Sequence, residues 1–408
     1  MNPFPMVLAD WRAMRGTAFG CILLVALAVA IGVAVGAQER ALRQASARAA
    51  DDFTLLIGAP GSQTTLVLAS VYLQLEALPL VDGALLNRLA LDKRVAAVAP
   101  IAFGDVVHGF PVIGTTAAFV TRWGRLAPAD GRLFADADEA VLGSDVTLPA
   151  GASITPAHGL SGHPGAADPE ETRHRHEGVV YKVVGRMPPT GTPWDRAILV
   201  PVESVWETHG LGNGHATDPA PLGLPFDAKT MPGVPAIVVK PAAVADAYAL
   251  RGQYRQGGTM AVFPAEVLVS LYRNLGDART VLVVASALND GLLFLSVLLL
   301  VVVLVGLRRR RYGVLRALGA PAGYVLLVVW LGTTGLIAAG CVLGFMLGWT
   351  ASAATGALVA ARTGLSITAA PGADEAMLVL VLVVVGGAMA ILPAWLATRA
   401  PISESLRS

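Results

Sequence analysis

The sequence predicts a membrane α-helical fold with four transmembrane helices and one α+β domain inserted between the first and the second helix. Three observations predict it: the positions of the apolar stretches, the positions of the arginines, and a strand-like pattern in the segment between the first two stretches. Of the 408 residues, 54% are hydrophobic and 14% are charged, against about 25% charged residues in typical soluble domains. The composition therefore favours an integral membrane protein.

Four apolar stretches are long enough to cross a bilayer, because a hydrocarbon core of about 30 Å requires roughly 20 helical residues. We place these transmembrane segments at residues 17–37, 281–307, 324–348 and 376–397. A cleaved signal peptide is the alternative for the first segment. Its length, together with Asp10 and Trp11 just before it, favours a retained anchor.

Arginines mark one side of these segments. They precede the first segment, follow the second at residues 308–311 and 316, and follow the fourth at 399 and 407. By the positive-inside rule, both termini (1–16 and 398–408) and the 308–323 loop are cytoplasmic. Residues 38–280 and the 349–375 loop then lie outside. We also predict a short amphipathic helix on the inner leaflet within residues 1–16, with Phe4, Leu8 and Trp11 facing lipid.

The outer segment, residues 38–280, has the pattern of a mixed α+β domain with helical stalks at 38–51 and 265–280. Strand-like runs rich in Val and Ile occur at 53–58, 95–103, 106–114, 140–143, 179–186, 197–200, 236–240 and 260–264. Apolar spacing predicts helices at 83–92 and 242–256, and the segments 144–178 and 208–235 are typical of loops. Both cysteines, Cys21 and Cys341, fall in predicted transmembrane segments, so disulfides do not stabilise this domain.

The most specific local motif follows the second apolar stretch. It begins with Arg308, Arg309, Arg310 and Arg311, which we expect to anchor the helix end among anionic headgroups. Val314, Leu315 and Leu318 then share one face of a predicted short helix that ends at Gly319. A positive-inside cap before a tight turn is the simpler interpretation of these residues.

This motif resembles the coupling loop of FtsX-like ABC transporter permeases, in which an arginine-rich helix end leads into a Gly-Val-Leu-Arg-Ala-Leu-Gly-like run. The end of the chain, from Pro393-Ala394 to Pro401-Ile402 and Glu404–Arg407, resembles the ending of the same family. The layout of four segments matches as well and is most similar to MacB-like and lipoprotein-releasing members. Two departures are Tyr312, where the family often has an acidic residue, and Ser403-Glu404-Ser405 near the terminus.

The resemblance implies a type VII, mechanotransmission permease of the bacterial inner membrane with a MacB-like periplasmic core domain. Such permeases require an ABC ATPase, and the lysines here (Lys93, Lys182, Lys229 and Lys240) never follow a glycine, so a phosphate-binding P-loop is absent from the sequence. We therefore expect ATP and Mg²⁺ on a partner ATPase subunit, no cofactor held by this chain, and no enzymatic activity of its own. The residues expected to couple to the ATPase are Tyr312, Gly313, Val314, Leu315, Arg316, Leu318 and Gly319.

Two glycine stripes predict close helix–helix contacts. Gly340, Gly344 and Gly348 lie along the third segment, and Gly32 and Gly36 lie along the first. A homodimer or a pair with a sister permease would use these stripes. The alternative is that glycine is simply common in membrane helices.

Histidines are confined to the outer segment. His158, His163, His174 and His176 lie close together in the sequence, and we predict them as candidate zinc ligands. A solvated loop without metal is the alternative interpretation.

The function predicted from the sequence is a permease subunit that couples ATP hydrolysis by a separate subunit to periplasmic domain motion, driving export or extraction of a substrate. The alternatives are a non-transporting FtsX-like scaffold that regulates a partner such as a cell-wall hydrolase, and metal-linked efflux or sensing through the histidine-rich loop. Expected partners are the ATPase, a second permease copy, a periplasmic adaptor or substrate-binding protein, and membrane lipids. No feature indicates nucleic-acid binding.

Overall fold

The computed structural model describes two compact units of the chain. The described residues are 2–74, 76–158, 176, 178–216, 221–273, 288, 291, 295, 314–363 and 372–399. A helical unit comprises residues 1–42, 275–357 and 368–408, and a second unit, here called the domain, comprises residues 43–274 and 358–367. Most of the predicted transmembrane segment 281–307 lies outside the described residues.

The described part of the helical unit combines long apolar helices with shorter ones. Its described helices are α1 (Phe4–Ala13), α2 (Arg15–Ala50), α8 (Ala322–Thr363), α9 (Ala373–Met389) and α10 (Ile391–Arg399), of which α2 and α8 continue into the domain. Within the described part of the chain, two helices are long and apolar enough to cross a membrane, Arg15–Ala50 and Ala322–Ala360. These two contain the predicted first and third segments.

The predicted fourth segment is divided rather than continuous. Helix α9 ends at Met389 and α10 begins at Ile391. Pro393 follows Met389 by four residues and has no backbone N–H to donate to the Met389 carbonyl, so the helical hydrogen-bond ladder is interrupted there. The predicted 349–375 loop is also shorter than expected, because α8 continues to Thr363.

The N-terminal helix is present, but its apolar side chains do not share one environment. Phe4 and Leu8 are exposed, as a lipid-facing surface requires. Trp11 instead packs on α8, where its indole Nε1 donates to the Gly332 carbonyl at 3.2 Å. The expectation that Trp11 faces lipid with Phe4 and Leu8 is therefore wrong, because this ring fills the space beside the glycines of α8.

The domain is formed by one mixed sheet. Its strands are β1 (Leu55–Gly58), β2 (Val95–Val107), β3 (Phe110–Thr115), β4 (Asp130–Gly131), β5 (Glu139–Leu142), β6 (Ser153–Ile154), β7 (Ala157–His158), β8 (Tyr181–Arg186), β9 (Ile198–Pro201), β10 (Ala236–Pro241) and β11 (Met260–Val262). The strand order is β11-β1-β10-β2-β3-β9-β5-β8-β4, with β6 on β8 and β7 on β2. Every predicted strand-like run overlaps one of these strands.

The sheet differs from the prediction at one hairpin and in one loop. Residues 106 and 107 end β2, and His108 and Gly109, both with positive φ (49° and 76°), form the two-residue turn into β3. Positive φ at both positions is the property of the type I′ turn that suits a tight hairpin. The predicted 144–178 loop contains β6 and β7.

Helices cover the sheet and position its loops. The domain helices are α3 (Gln63–Val71), α4 (Ala84–Leu91), α5 (Ala117–Val120), α6 (Val202–Thr208) and α7 (Val244–Tyr254), with a 3-10 turn at Pro193–Arg196. Helix α6 lies directly on β3, since a Cβ at Gly114 would be 2.6 Å from Cγ2 of Val205. This close approach, available only to glycine, fixes the C-terminal end of α6 over the central strands.

Candidate functional site

One carboxylate and three imidazoles converge in the domain. Asp105, His158, His176 and His209 each offer one oxygen or nitrogen atom, and these four atoms all lie within 4.8 Å of one another. They come from four separate parts of the chain: β2, β7, the segment before β8, and the residue after α6. We call this group the His₃Asp cluster.

Asp105 is the buried centre of the cluster, with only 2% of its side chain exposed. The pairing of β2 with β3 shifts register between Phe103 and Asp105, so Gly104 is an extra residue in β2. A β-bulge of this kind turns the following side chain in a new direction. In the pairing of β2 with β7, Asp105 lies directly opposite His158, which brings this imidazole to the carboxylate.

The three imidazoles approach the same carboxylate oxygen. Asp105 Oδ1 is 3.3 Å from His158 Nδ1, 3.1 Å from His176 Nε2 and 3.8 Å from His209 Nε2. The ring centroids of His158 and His176 are 4.2 Å apart, and each is 5.2–5.3 Å from that of His209. The side chains of His158, His176 and His209 are 52%, 15% and 28% exposed, so the cluster opens to solvent on the His158 side.

The orientation of His209 is fixed by the end of α6. Its backbone N–H donates to carbonyls of the last helical turn, and its ring Nδ1 is 2.8 Å from the Val205 carbonyl. A carbonyl only accepts, so Nδ1 carries the proton of this hydrogen bond. Nε2, which faces Asp105, therefore presents its lone pair in the neutral ring.

A neighbouring phenol stays protonated. The Tyr181 hydroxyl is 3.1 Å from the Thr208 hydroxyl. Burial raises the pKa of Tyr181 to about 12, and the negative charge of Asp105 acts in the same direction, whereas the hydrogen bond between Tyr181 and Thr208 acts in the opposite one. Tyr181 is thus a neutral hydroxyl beside the cluster and does not add an anionic ligand to it.

The cluster includes two of the four predicted zinc ligands. His158 and His176 belong to it, whereas His163 and His174 lie outside the described residues. Asp105 and His209 were not predicted. Asp105 had one signal, a charged residue within an otherwise apolar strand, but the sequence around His209 gave none.

The described part of the predicted coupling segment contains the end of a helix. Residues 314–317 are helical, and Gly319, with φ of 94°, ends the turn. Ala320 N–H donates to Leu315 and Gly319 N–H to Arg316, which is the Schellman arrangement. The predicted helix stop at Gly319 is confirmed.

The side chains of this segment do not all face the same way. Val314 and Leu318 are 42% and 80% exposed. Leu315 is partly buried and packs against the cluster of Val325, Val329 and Ala394, so the three side chains predicted to share one face differ in exposure. Arg316 donates to the Thr398 carbonyl at 2.9 Å. Arg308–Arg311, Tyr312 and Gly313 lie outside the described residues.

The glycine stripe of α8 packs against α2 of the same chain. A Cβ at Gly340, Gly344 or Gly348 would come within 2.5–2.7 Å of α2 atoms. The nearest of these atoms belong to Val25, Ala26 and Ala30. Gly32 and Gly36 face Leu378 and Glu375 more loosely, at 3.5 and 3.4 Å. This contact occupies the α8 stripe within one chain, so a second permease copy would bind another surface.

Comparisons with known proteins identify two adjoining family regions. The model of the MacB-like periplasmic core domain matches residues 16–256, and that of the FtsX-like permease C-terminal region matches residues 284–403. A comparison with curated proteins gives no match.

Two solved structures are similar to part of the chain. One is the periplasmic region of MacB from Actinobacillus actinomycetemcomitans, at 11% identity and a TM-score of 0.32, covering 54% of this chain and 94% of that one. The other is the extracellular domain of the noncanonic ABC-type transporter YknZ from Gram-positive bacteria, at 13% identity and a TM-score of 0.29, covering 51% and 98%.

The two family regions together define a membrane-embedded permease component of an ABC-type system with an inserted periplasmic core domain. The chain belongs to the FtsX-like, MacB-like permease family.

Proposed function

We propose that this chain is the transmembrane subunit of an ABC transporter that converts ATP hydrolysis by a separate subunit into movement of its periplasmic domain. The movement would drive export or extraction of a substrate. The observation that carries the proposal is the match of both family regions, residues 16–256 and 284–403, within one chain. The partners we propose are the ATPase, a second permease copy, and a periplasmic adaptor or substrate-binding protein.

A continuous helix supports mechanical coupling. Helix α2 has 36 residues without a break, which corresponds to about 54 Å at 1.5 Å per residue. A hydrocarbon core of about 30 Å accounts for little more than half of this length. The remaining turns lead in the sequence to β1, so we propose that they act as a rod that transmits displacement.

The residues that follow α2 in the sequence are tightly packed within the domain. Phe53, three residues after the helix, is buried against the rings of Phe119 and Trp194, with centroids 5.4 and 5.8 Å away. Asp52 pairs with Arg122 at 3.1 Å. Burial lowers the pKa of Arg122 to about 10, which leaves it charged at neutral pH. Neither Asp52 nor Phe53 can shift without losing these contacts, so we propose that the start of the domain fold is rigid enough to receive force from the helix that precedes it in the sequence.

Polar contacts also join α2 to α8 and α9 within the helical unit. Arg40 of α2 pairs with Glu375 of α9 at 2.6 Å, and Glu375 is only 4% exposed. Gln38 of α2 accepts from the Thr355 hydroxyl of α8 at 3.2 Å. With the glycine contacts between α2 and α8, these bonds favour concerted rather than independent helix movement.

The input surface we propose is the exposed pair Val314 and Leu318. These two side chains are exposed apolar groups four residues apart, and they lie in the segment that resembles the coupling loop of the family. Leu315 is unsuited to this role, because it already packs within the helical unit.

The test is the double variant Val314→Asp/Leu318→Asp in the full chain, purified with the ATPase that accompanies it from native membranes. We expect loss of the ATPase from the complex or a fall of about tenfold or more in its stimulated activity. The matched control is Leu211→Asp, an exposed leucine of the domain, which should leave both unchanged. Full ATPase assembly and stimulation in the double variant would contradict the proposed input surface.

A further inference from the structure

We propose that the His₃Asp cluster of Asp105, His158, His176 and His209 binds a divalent zinc-class cation. The donors are three imidazole nitrogens and one carboxylate oxygen, a set that Zn²⁺ accepts with four-coordinate geometry. One anionic ligand and a dipositive ion leave a net charge of about +1 at the site. The inference concerns the domain alone and does not rest on the proposed transport function.

The distances fit such an ion. Bonds of about 2.0–2.1 Å in a tetrahedron place neighbouring ligand atoms about 3.3–3.4 Å apart. The three edges that meet at Asp105 Oδ1 measure 3.3, 3.1 and 3.8 Å. The remaining edges, between imidazoles, do not exceed 4.8 Å. Rotation of the imidazole rings about their side-chain bonds would shorten the longer edges towards the tetrahedral value.

Hydrogen-bond polarity is the strongest argument for a cation. Because His209 donates Nδ1–H to the Val205 carbonyl, its neutral ring directs a lone pair at the Asp105 oxygen. The Nε2 lone pair and the buried carboxylate oxygen then face each other, an arrangement that costs free energy unless a proton or a cation lies between them. A metal ion supplies that charge, and the bond to Val205 is the outer-shell contact that orients most metal-binding histidines.

The four ligands are held on ordered backbone. Asp105 and His158 are paired across β2 and β7, and His209 caps α6, which lies on β3. The backbone of His176 is fixed on both sides, since its N–H donates to Pro156 and its carbonyl accepts from Val179. Preorganised ligands of this kind lower the cost of binding.

Four protein ligands make a closed site. A hydrolytic site would instead keep one coordination position for water. The ion would join β2, β7, the segment before β8 and the end of α6. It would also hold His158 and His176, the residues on either side of the predicted histidine-rich loop. We therefore infer a structural or metal-responsive role, with exchange through the exposed His158 side.

The experiment is Zn²⁺ titration of the full chain in detergent or nanodiscs, purified through a tag without histidine and freed of metal with EDTA. Competition with a chromophoric chelator gives affinity and stoichiometry, and Co²⁺ substitution reports tetrahedral coordination by its visible spectrum. We expect one ion per chain. His158→Ala, His176→Ala, His209→Ala and Asp105→Asn should each weaken Zn²⁺ at least about 100-fold, since outer-shell changes alone cost 10–100-fold.

Two controls separate this site from other histidines. His108→Asn changes an exposed histidine of the β2–β3 turn and should leave affinity unchanged. The double variant His163→Ala/His174→Ala tests the other two ligands predicted from the sequence and should also retain the site. Melting temperatures in EDTA identify any variant that fails to fold; His158→Ala, at the most exposed ligand, then remains decisive.

Three outcomes would overturn the inference. The first is wild-type protein without one tightly bound Zn²⁺ per chain. The second is unchanged affinity in folded His158→Ala and Asp105→Asn. The third is loss of binding in His163→Ala/His174→Ala while the Asp105 and His209 variants keep it, which would move the site to the predicted loop.

Discussion

Two buried carboxylates of the same domain, Asp195 and Asp105, have different kinds of hydrogen-bond partner. Asp195, in the turn before β9, is 4% exposed. It accepts hydrogen bonds from the backbone N–H of Thr190 at 2.9 Å, the Thr190 hydroxyl at 2.6 Å and the Gly191 N–H at 2.7 Å. Asp105, 2% exposed, meets three imidazoles from separate parts of the chain. The two carboxylates are therefore similarly buried but are surrounded by chemically different groups.

The difference lies in what the neighbours can donate. The groups around Asp195 are all N–H and O–H donors from residues four and five positions before it, so the chain alone satisfies this carboxylate. Around Asp105, at least the His209 nitrogen directs a lone pair in its neutral form. Burial raises the pKa of Asp195, and the Thr190 and Gly191 donors oppose that rise. We infer that Asp195 stabilises a turn, whereas Asp105 belongs to a binding site.

Replacement of Asp195 should have the largest effect on stability. Asp195→Ala leaves the donors of Thr190 and Gly191 without an acceptor in a buried turn, and each unsatisfied group costs about 1–3 kcal/mol. We expect a loss of about 2–4 kcal/mol, or roughly 4–16 °C in melting temperature for a domain of this size. Thermal unfolding of the full chain in EDTA and in excess Zn²⁺ should show the same loss.

Asp195→Asn is the matched control for this experiment. An amide keeps one acceptor oxygen and removes the cost of a buried charge, so the loss should be smaller than in Asp195→Ala. A loss that disappears when Zn²⁺ is added would contradict the distinction between the two carboxylates.

Asp105→Asn should have the opposite pattern. Without metal, we expect its free energy of unfolding to stay within about 1 kcal/mol of the wild type. Zn²⁺ at about 100 times its Kd should stabilise the wild type by about 2.7 kcal/mol and should not stabilise the variant. Paired melts of both proteins in EDTA and in Zn²⁺ measure this difference. Equal stabilisation of both by Zn²⁺ would mean that Asp105 is not a ligand.

The sequence was sufficient for elements whose pattern is local. The sheet strands were recognisable because runs such as 236–240 and 260–264 are apolar, β-branched and bounded by turn residues. The stalk at 38–51 was expected to continue the first segment as a helix, and α2 runs from Arg15 to Ala50 because nothing between Gly36 and Ala50 interrupts it. The Gly319 stop was predictable because glycine adopts positive φ without strain.

The site was only partly predictable because its ligands meet through tertiary structure. His158 and His176 were noticed for their neighbouring histidines. Asp105 reaches them through a bulge at Gly104, and His209 through the packing of α6 on β3. Neither feature leaves a periodic signal in the sequence. The exposure of Leu315 was not predictable for a related reason: helical spacing gives the angle between side chains, but not which side meets the rest of the helical unit.

A third buried carboxylate gives the smallest and most specific prediction. Glu139 is 7% exposed, pairs with Arg132 and accepts from the Ala135 N–H at 2.8 Å. The hydrogen bonds from Arg132 lower the pKa of Glu139 from 4.5 to about 2, with help from backbone donors and against its burial. Like Asp195, Glu139 is satisfied by the chain alone, but its main partner is a charge.

The sign of the pH effect follows from that lowered pKa. Glu139 contributes stability that is fully present above about pH 4.5 and is lost as pH falls from there towards 2. Arg132 is 55% exposed, so solvent screening keeps the contribution to about 1 kcal/mol or less. Glu139→Gln should therefore flatten the dependence of melting temperature on pH between 4.5 and 2, and Arg132→Gln should flatten it similarly. If the melting temperature of both variants depended on pH as steeply as that of the wild type, the acid sensitivity would arise at another carboxylate. Asp195 would not account for it, because its pKa is raised and protonation therefore favours the folded state.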